Sequence, residues 1–323
     1  MLMTFNLQGT TLVKCEGMTP FKPETLWIDL LNPTKEEDAF VEKQLGISIP
    51  TRAESREIEA SNRFYQENTA HYMTAFILYN ADALTPSTST LTFIRSGNRL
   101  VTVRYCEPKA FPIFLARVEK GDLPCQSAGS IMMGLLETII HRAADLIERI
   151  QDEVEKTAHA VFDIRGGEQT GSRRLDLLLK AAGKEGDVTS RLQESAFSLE
   201  RLLTYFSHTL REQNGDSALV KRVEIAHRDV HSLTEHMRFL TGRIAFLLDA
   251  TLGMINNEQN TIIKIFSVLA VALMPPTLVG TIYGMNFKHI PELDWPWGYP
   301  MAVGLMVLSA VIPFVYFRRK GWF

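Results

Sequence analysis

The carboxyl-terminal end constrains this chain more than any other feature. Two charge-free apolar runs, Ile265–Phe287 and Trp295–Phe317, are separated only by Lys288-His289-Ile290-Pro291-Glu292-Leu293-Asp294. Each run is 23 residues long, and a helix needs about 20 to cross a hydrocarbon core of roughly 30 Å. So short a connection makes the two expected helices antiparallel neighbours. The chain enters a bilayer and comes straight back.

Bulk composition conceals this. Charged residues are 22% and hydrophobic residues 46% of the chain, the average of a polar body and a very apolar tail. The body is long enough for one large domain or two smaller ones. A net charge of -3 gives no electrostatic reason for a nucleic-acid partner. The three cysteines, Cys15, Cys106 and Cys125, form no CxxC pair and read as reduced thiols in a cytosolic body. The amino terminus lacks the basic and apolar regions of a secretory signal. Arg318, Arg319 and Lys320 follow the second run directly, whereas the short loop sets Lys288 against Glu292 and Asp294. The positive-inside rule puts the carboxyl terminus in the cytoplasm, and two spans put the body there too.

Along the chain, residues 1–126 read as a mixed α/β domain. Leu26–Leu31 has strand character, Lys35–Leu45 has helical spacing closed by Gly46, His71–Tyr79 is β-branched and aromatic, and Thr90–Arg104 reads as a hairpin turning at Ser96-Gly97-Asn98. A helical region is expected over 127–214, with helices at Ile131–Phe162 and Leu175–Leu210, a break at Gly166-Gly167 and an irregularity near Gly183–Gly186. A stalk helix over 215–264 begins at Asp216 or Ser217 and runs without proline into the first span, 265–287, with a possible interruption only at Gly253. An external loop, 288–294, the second span, 295–317, and a basic tail, 318–323, complete the chain. The expected fold is therefore an α+β cytoplasmic domain, long stalk helices and two C-terminal transmembrane helices.

Enzyme signatures are missing: no G-x-S-x-G, no H-E-x-x-H, no dinucleotide fingerprint and no Walker A pair, so neither catalysis nor a nucleotide is expected. His227 and His231, with Glu224 a turn earlier, have metal-ligand spacing but equally suit a solvated helix face. The same holds for the acidic stretches Glu36-Glu37-Asp38 and Glu54–Glu59. The first span says more. Asn260, Ser267, Met274, Thr277, Thr281 and Gly284 fall on one helical stripe, while Ile265, Leu269, Ala272 and Val279 face elsewhere. Such a stripe is either a small-residue packing face or a weakly polar wall for an ion that keeps its water. Pro275-Pro276 frees the carbonyls of Val271 and Ala272, which in lipid must be covered or face water. Two helices cannot enclose a pore, so conduction requires an oligomer.

At these residues the chain resembles the CorA magnesium transport family. The resemblance rests on Tyr283-Gly284-Met285-Asn286, Pro291-Glu292-Leu293, Trp295, Trp297-Gly298-Tyr299-Pro300, Asn260 with Lys264, Met274-Pro275 and the basic end, with weaker similarity around Leu100–Tyr105. It implies a CorA-like funnel, pentameric, in the inner (plasma) membrane, passing Mg2+ passively and gated by cytoplasmic Mg2+. It further implies that Gly284, Met285 and Asn286 form the selectivity ring, with hydrated Mg2+ held at Asn286. By the same resemblance, Asn260, Ile263, Phe266, Met274 and Thr277 line the pore, joined by Ser267 and Thr281 from the stripe. Lys288-His289 departs from the family's frequently acidic position after Gly-Met-Asn-Phe and would lower cation concentration at the mouth. A related zinc transporter of the ZntB type, or transport of Co2+ or Ni2+, is the alternative within the fold. His227, His231 and His289 favour zinc, and the Gly-Met-Asn signature opposes it. A membrane-tethered sensor or scaffold without a pore is the alternative from another class.

Overall fold

The computed structural model describes residues 1–9, 11–57, 59, 62–81, 86–123, 125–162, 172–212, 216–286 and 290–321. Among the described residues there are seven strands: β1 (Leu2–Gln8), β2 (Thr11–Glu16), β3 (Thr25–Leu31), β4 (Phe64–Glu67), β5 (Ala70–Tyr79), β6 (Ser87–Ser96) and β7 (Arg99–Arg104). They form one sheet in the order β2-β1-β3-β7-β6-β5-β4, antiparallel except for the central β3–β7 pair. Period-two alternation gives the sheet two buried faces. Ile28, Leu30, Ile94, Val101 and Val103 pack with Val41, Ile47 and Ile49 on one side. Trp27, Met73, Ala75, Leu91, Phe93 and Leu100 join a larger helical core on the other.

The helices are α1 (Lys35–Leu45), α2 (Ala110–Glu119), α3 (Ala128–Phe162), α4 (Ser172–Glu212), α5 (Ser217–Tyr283) and α6 (Gly298–Arg319). Helix α1 is fixed locally at both ends. Thr34 and Glu37 form a reciprocal capping box, and Gly46 closes the helix at a φ of 65°, a left-handed value that glycine adopts freely. Helix α4 seals an open strand edge: Phe76 N–H donates to Ser198 Oγ at 2.7 Å, and Ser195 Oγ donates to the Phe76 carbonyl at 2.9 Å. Those groups would otherwise present an unpaired edge.

Several expectations are corrected. Helix α4 passes through Gly183 and Gly186, and α5 through Gly253, without a break. Local helix cost at glycine, about 1 kcal/mol relative to alanine, is small beside the burial that their neighbours gain. The first membrane helix ends at Tyr283 rather than Phe287, and the second begins at Gly298 rather than Trp295. Strands β1, β2 and β4 and helix α2 have no counterpart in the sequence reading. The break placed at Gly166-Gly167 lies outside the described residues.

The chain divides into two compact units, Met1–Asp163 with Lys180–Leu248, and Ile164–Leu179 with Asp249–Phe323. The sheet and its helical layer belong to the first. Among the described residues, the two apolar stretches long enough to cross a membrane lie in the second: the carboxyl-terminal part of α5, and α6.

Candidate ion-conduction site

Helix α5 begins where the Asp216 carboxylate accepts from the Ala218 N–H at 2.9 Å. At 1.5 Å per residue its 67 residues span roughly 100 Å. In its membrane stretch, Val268 is only 3% exposed, and Ala272, Pro275, Pro276, Val279, Gly280 and Tyr283 are half-buried. At 3.6 residues per turn these positions form one face. An added Cβ at Gly280 would lie 3.3 Å from the Met306 Cε of α6, so glycine keeps that approach close.

The stripe read from the sequence lies on the opposite side. Asn260, Ser267, Thr277 and Thr281 are exposed, Ile263 is 61%, Phe266 66% and Met274 70% exposed. The face covered within the chain is thus a different one, built of Val268, Ala272 and Val279. Ile265 and Leu269 also lie away from the stripe but are themselves exposed. They are apolar positions facing outward.

Hydroxyl geometry gives the stripe a defined polarity. Thr277 Oγ1 donates to the Leu273 carbonyl, and Thr281 Oγ1 to the Thr277 carbonyl, both at 2.7 Å. Each hydroxyl proton is spent on the preceding turn, so the oxygens present acceptor lone pairs outward. Pro275 and Pro276 sit within the helix and leave the Val271 and Ala272 carbonyls without intrahelical donors.

The helix unwinds at the Gly-Met-Asn signature. Gly284 N–H donates to the Gly280 carbonyl at 3.0 Å and Met285 N–H to the Ile282 carbonyl at 3.3 Å. A Cβ at Gly284 would stand 3.0 Å from the Gly280 oxygen, closer than side chains ordinarily tolerate. Met285 and Asn286 are exposed at this end, where the helix dipole carries about half a negative charge. Beyond it, Pro291–Asp294 makes a 3-10 turn with Glu292 half-buried and Asp294 exposed. A Cβ at Gly298 would collide with the Glu292 carbonyl, which explains the glycine inside Trp297-Gly298-Tyr299. The sequence reading noted that glycine without its cause. Lys288 and His289, together with Phe287, lie outside the described residues.

The other candidate ligands do not converge. His231 Nδ1 is 3.1 Å from Glu200 Oε1, His236 Nε2 is 2.9 Å from Gln151 Oε1, and Glu224 accepts from Arg211 at 2.6 Å. Glu37 bonds the Met1 ammonium at 2.7 Å, and Glu54 caps Thr51. Burial alone would raise the Glu37 carboxyl, but the ammonium and the Thr34 N–H hold it below the ordinary range. Burial, with Glu42 and Glu37 nearby, raises Asp38. Among the described residues no group of three histidine, cysteine or acidic side chains is arranged to hold a metal.

A family described as CorA-like Mg2+ transporter protein matches residues 23–319. The chain belongs to the CorA family. It is 33% identical to the magnesium transport protein CorA of Escherichia coli K12 over 324 residues, and to that of Yersinia pestis over 323, covering 100% of both chains in each case. The solved CorA magnesium transporter from Methanocaldococcus jannaschii has the same fold, with a TM-score of 0.77 at 19% identity over 100% of this chain and 98% of that one. The cytoplasmic domain of ZntB from Vibrio parahaemolyticus shares the fold more distantly, with a TM-score of 0.57 at 10% identity, over 80% of this chain and 97% of that one. The expected fold class stands: a CorA-like α/β domain, a long helix and two candidate membrane helices. CorA is a membrane-embedded magnesium-transporter family and not an enzyme family.

Proposed function

We propose that this chain forms a homopentameric, passive Mg2+ uptake channel of the inner membrane, with both termini cytoplasmic. The observation that carries the reading is the exposed stripe of α5, on which the Thr277 and Thr281 hydroxyls donate back to the helix and leave acceptors outward, opposite its covered face and ending at Gly284-Met285-Asn286. Mg2+ dehydrates reluctantly and keeps several waters. A hydrated ion offers hydrogens outward, so its wall must supply acceptors. The Thr277 and Thr281 oxygens and the Asn286 amide oxygen are such groups, and no carboxylate lies on the stripe.

In this reading Gly284, Met285 and Asn286 select the hydrated ion. Asn260, Ile263, Phe266, Ser267, Met274, Thr277 and Thr281 line the path, with Phe266 and Met274 as apolar constrictions. Glu292 and Asp294 offset Lys288 at the external mouth. Cytoplasmic Mg2+ bound between soluble domains closes the channel. A divalent ion gains roughly 4.6 kcal/mol per 100 mV of inside-negative potential, twice the 2.3 kcal/mol per charge, so uptake needs no nucleotide hydrolysis. The test is Mg2+ flux into proteoliposomes at fixed potential. Asn286→Ala is expected to abolish flux while leaving assembly intact; normal flux in an assembled Asn286→Ala protein overturns the selectivity assignment.

A further inference from the structure

Charge is distributed unevenly along the membrane-spanning helix pair. From residue 259 onward the only acids are Glu292 and Asp294, both in the turn between α5 and α6. Lys264, Arg318, Arg319 and Lys320 gather at the opposite end. The helices meet where Gly280 approaches Met306, and the chain turns back between them. Measured from that contact at 1.5 Å per residue, Lys264 lies about 24 Å along α5 and Arg318–Lys320 about 18–21 Å along α6 in the same direction. The four cations therefore share one depth, and all are exposed. Among the described residues none of them is in an ion pair.

Helix α6 adds an apolar track that ends in this belt. Its covered face holds Ala302, Met306, Pro313 and Phe317. Leu308, Ile312 and Val315 lie on the opposite face, 58%, 57% and 42% exposed, and at 3.6 residues per turn Arg319 continues their line. Arg318 and Lys320 flank it, with the Lys320 ammonium 5.4 Å from the Tyr316 ring centroid. Trp297, exposed at the far end of α6, is about 33 Å from Arg319, close to the roughly 30 Å of a hydrocarbon core. Arg319 thus reaches headgroup level while the track below it lies among acyl chains.

An occupant of this face needs an apolar chain and an anion at one depth. A second copy of this chain supplies no anion there: its Glu292 and Asp294 are at the other end, and Glu258 lies about 9 Å beyond Lys264. A phospholipid supplies both, and guanidinium binds phosphate through paired, charge-assisted hydrogen bonds. We propose that this end of α6 binds an anionic phospholipid, its phosphate on Arg319 between Arg318 and Lys320 and an acyl chain along Leu308, Ile312 and Val315. A zwitterionic lipid brings its own cation, which the belt repels. The inference rests on the two membrane spans and not on which ion is passed.

The test is electron spin resonance of trace spin-labelled phosphatidylglycerol or phosphatidylcholine in phosphatidylcholine vesicles holding the full-length protein, so it is independent of ion flux. The fraction of label immobilised by protein is expected to give phosphatidylglycerol at least a threefold preference, falling towards one in 1 M salt as the charges are screened. The triple variant Arg318→Gln, Arg319→Gln, Lys320→Gln is expected to bring the ratio to one, Arg319→Gln alone to halve it, and Lys156→Gln, in the soluble body, to leave it unchanged. Glutamine keeps helix propensity, and circular dichroism with gel filtration identifies any variant that fails to fold. A ratio near one in the wild-type protein, or an undiminished ratio in the folded triple variant, overturns the proposal. So does loss of the preference on adding 10 mM glycerol 3-phosphate, which would mean that the headgroup alone is recognised.

Discussion

Replacing Asp29 with alanine removes the anion from the most deeply buried charge pair among the described residues. Asp29 lies on β3 directly opposite Thr102 of β7, in the only parallel strand pair of the sheet. Its carboxylate accepts from Arg104 Nη2 at 2.7 Å, from Arg104 Nε at 3.1 Å to both oxygens, and from the Thr102 hydroxyl at 2.7 Å. The side chains of Arg104 and Asp29 are 7% and 2% exposed. Thr102 in turn accepts from Trp27 Nε1 at 2.9 Å, and the Arg104 guanidinium lies 4.4 Å from the Phe111 ring centroid. Without Asp29 the guanidinium stays buried, holding only the Cys106 carbonyl at 3.0 Å and the Phe111 face. Breaking a buried pair from one side costs about 3–5 kcal/mol. For a body of this size each kcal/mol moves the unfolding midpoint by about 2–4 °C, so a fall of roughly 6–20 °C is expected. Thermal unfolding of the full-length protein in detergent, followed by far-ultraviolet circular dichroism, reads it. The decisive comparison is Asp29→Leu with Arg104→Met, which leaves no orphaned charge and is expected to recover most of the loss. A midpoint within 2 °C of wild type for Asp29→Ala, or a double variant as unstable as the single one, refutes the uncompensated-charge argument.

Two further outcomes follow from burial. The Cys125 thiol is pushed up to about 11 by burial, and burial likewise raises Cys106, while Cys15 is half-exposed. Maleimide at pH 8 is therefore expected to label Cys15 alone in the native protein and all three thiols after denaturation, checked by intact-mass spectrometry, because the thiolate is the reactive form. Burial, with Arg95 nearby, lowers His71 below its ordinary 6.5, so the unfolded chain takes up a proton that the folded chain resists. Stability is then full above pH 6.5 and falls as pH drops below it. His71→Gln is expected to flatten the unfolding midpoint between pH 7 and pH 5, and an unchanged slope in that variant refutes the assignment.

Features with local causes were legible in the sequence. Gly46, which closes Lys35–Leu45, and the Ser96-Gly97-Asn98 turn lie within a few residues of what they control. The β3–β7 pairing was not legible, because Trp27 and Leu100 become neighbours through the sheet and not through spacing. Strand β2 was missed because Val13 is 37% exposed and its neighbours alternate weakly. Helix α2 was missed because Pro112 interrupts its pattern, although proline fits a first helical turn. At the site, spacing placed Ser267, Met274, Thr277 and Thr281 together, but two meanings stayed open: a packing face or an exposed wall. The side of α5 that α6 covers, with Val268 buried and Gly280 against Met306, was not legible, because which side is covered depends on a second helix.

That distinction also bears on why the stripe carries threonine rather than a carboxylate or an aliphatic residue. A carboxylate would bind a divalent ion strongly and compete for its inner-shell water, whereas conduction requires that an ion bind well enough to enter and weakly enough to leave. An aliphatic residue would offer no acceptor and would leave the ion's hydration shell unmatched. Serine or threonine free to rotate would present donors as often as acceptors. The bonds from Thr277 to Leu273 and from Thr281 to Thr277 remove that ambiguity, because the proton is held by the helix itself. Under the proposed channel reading, the wall of α5 is therefore neutral and, at Thr277 and Thr281, acceptor-presenting and fixed in orientation, which suits an ion that passes with its water and not one that is stripped.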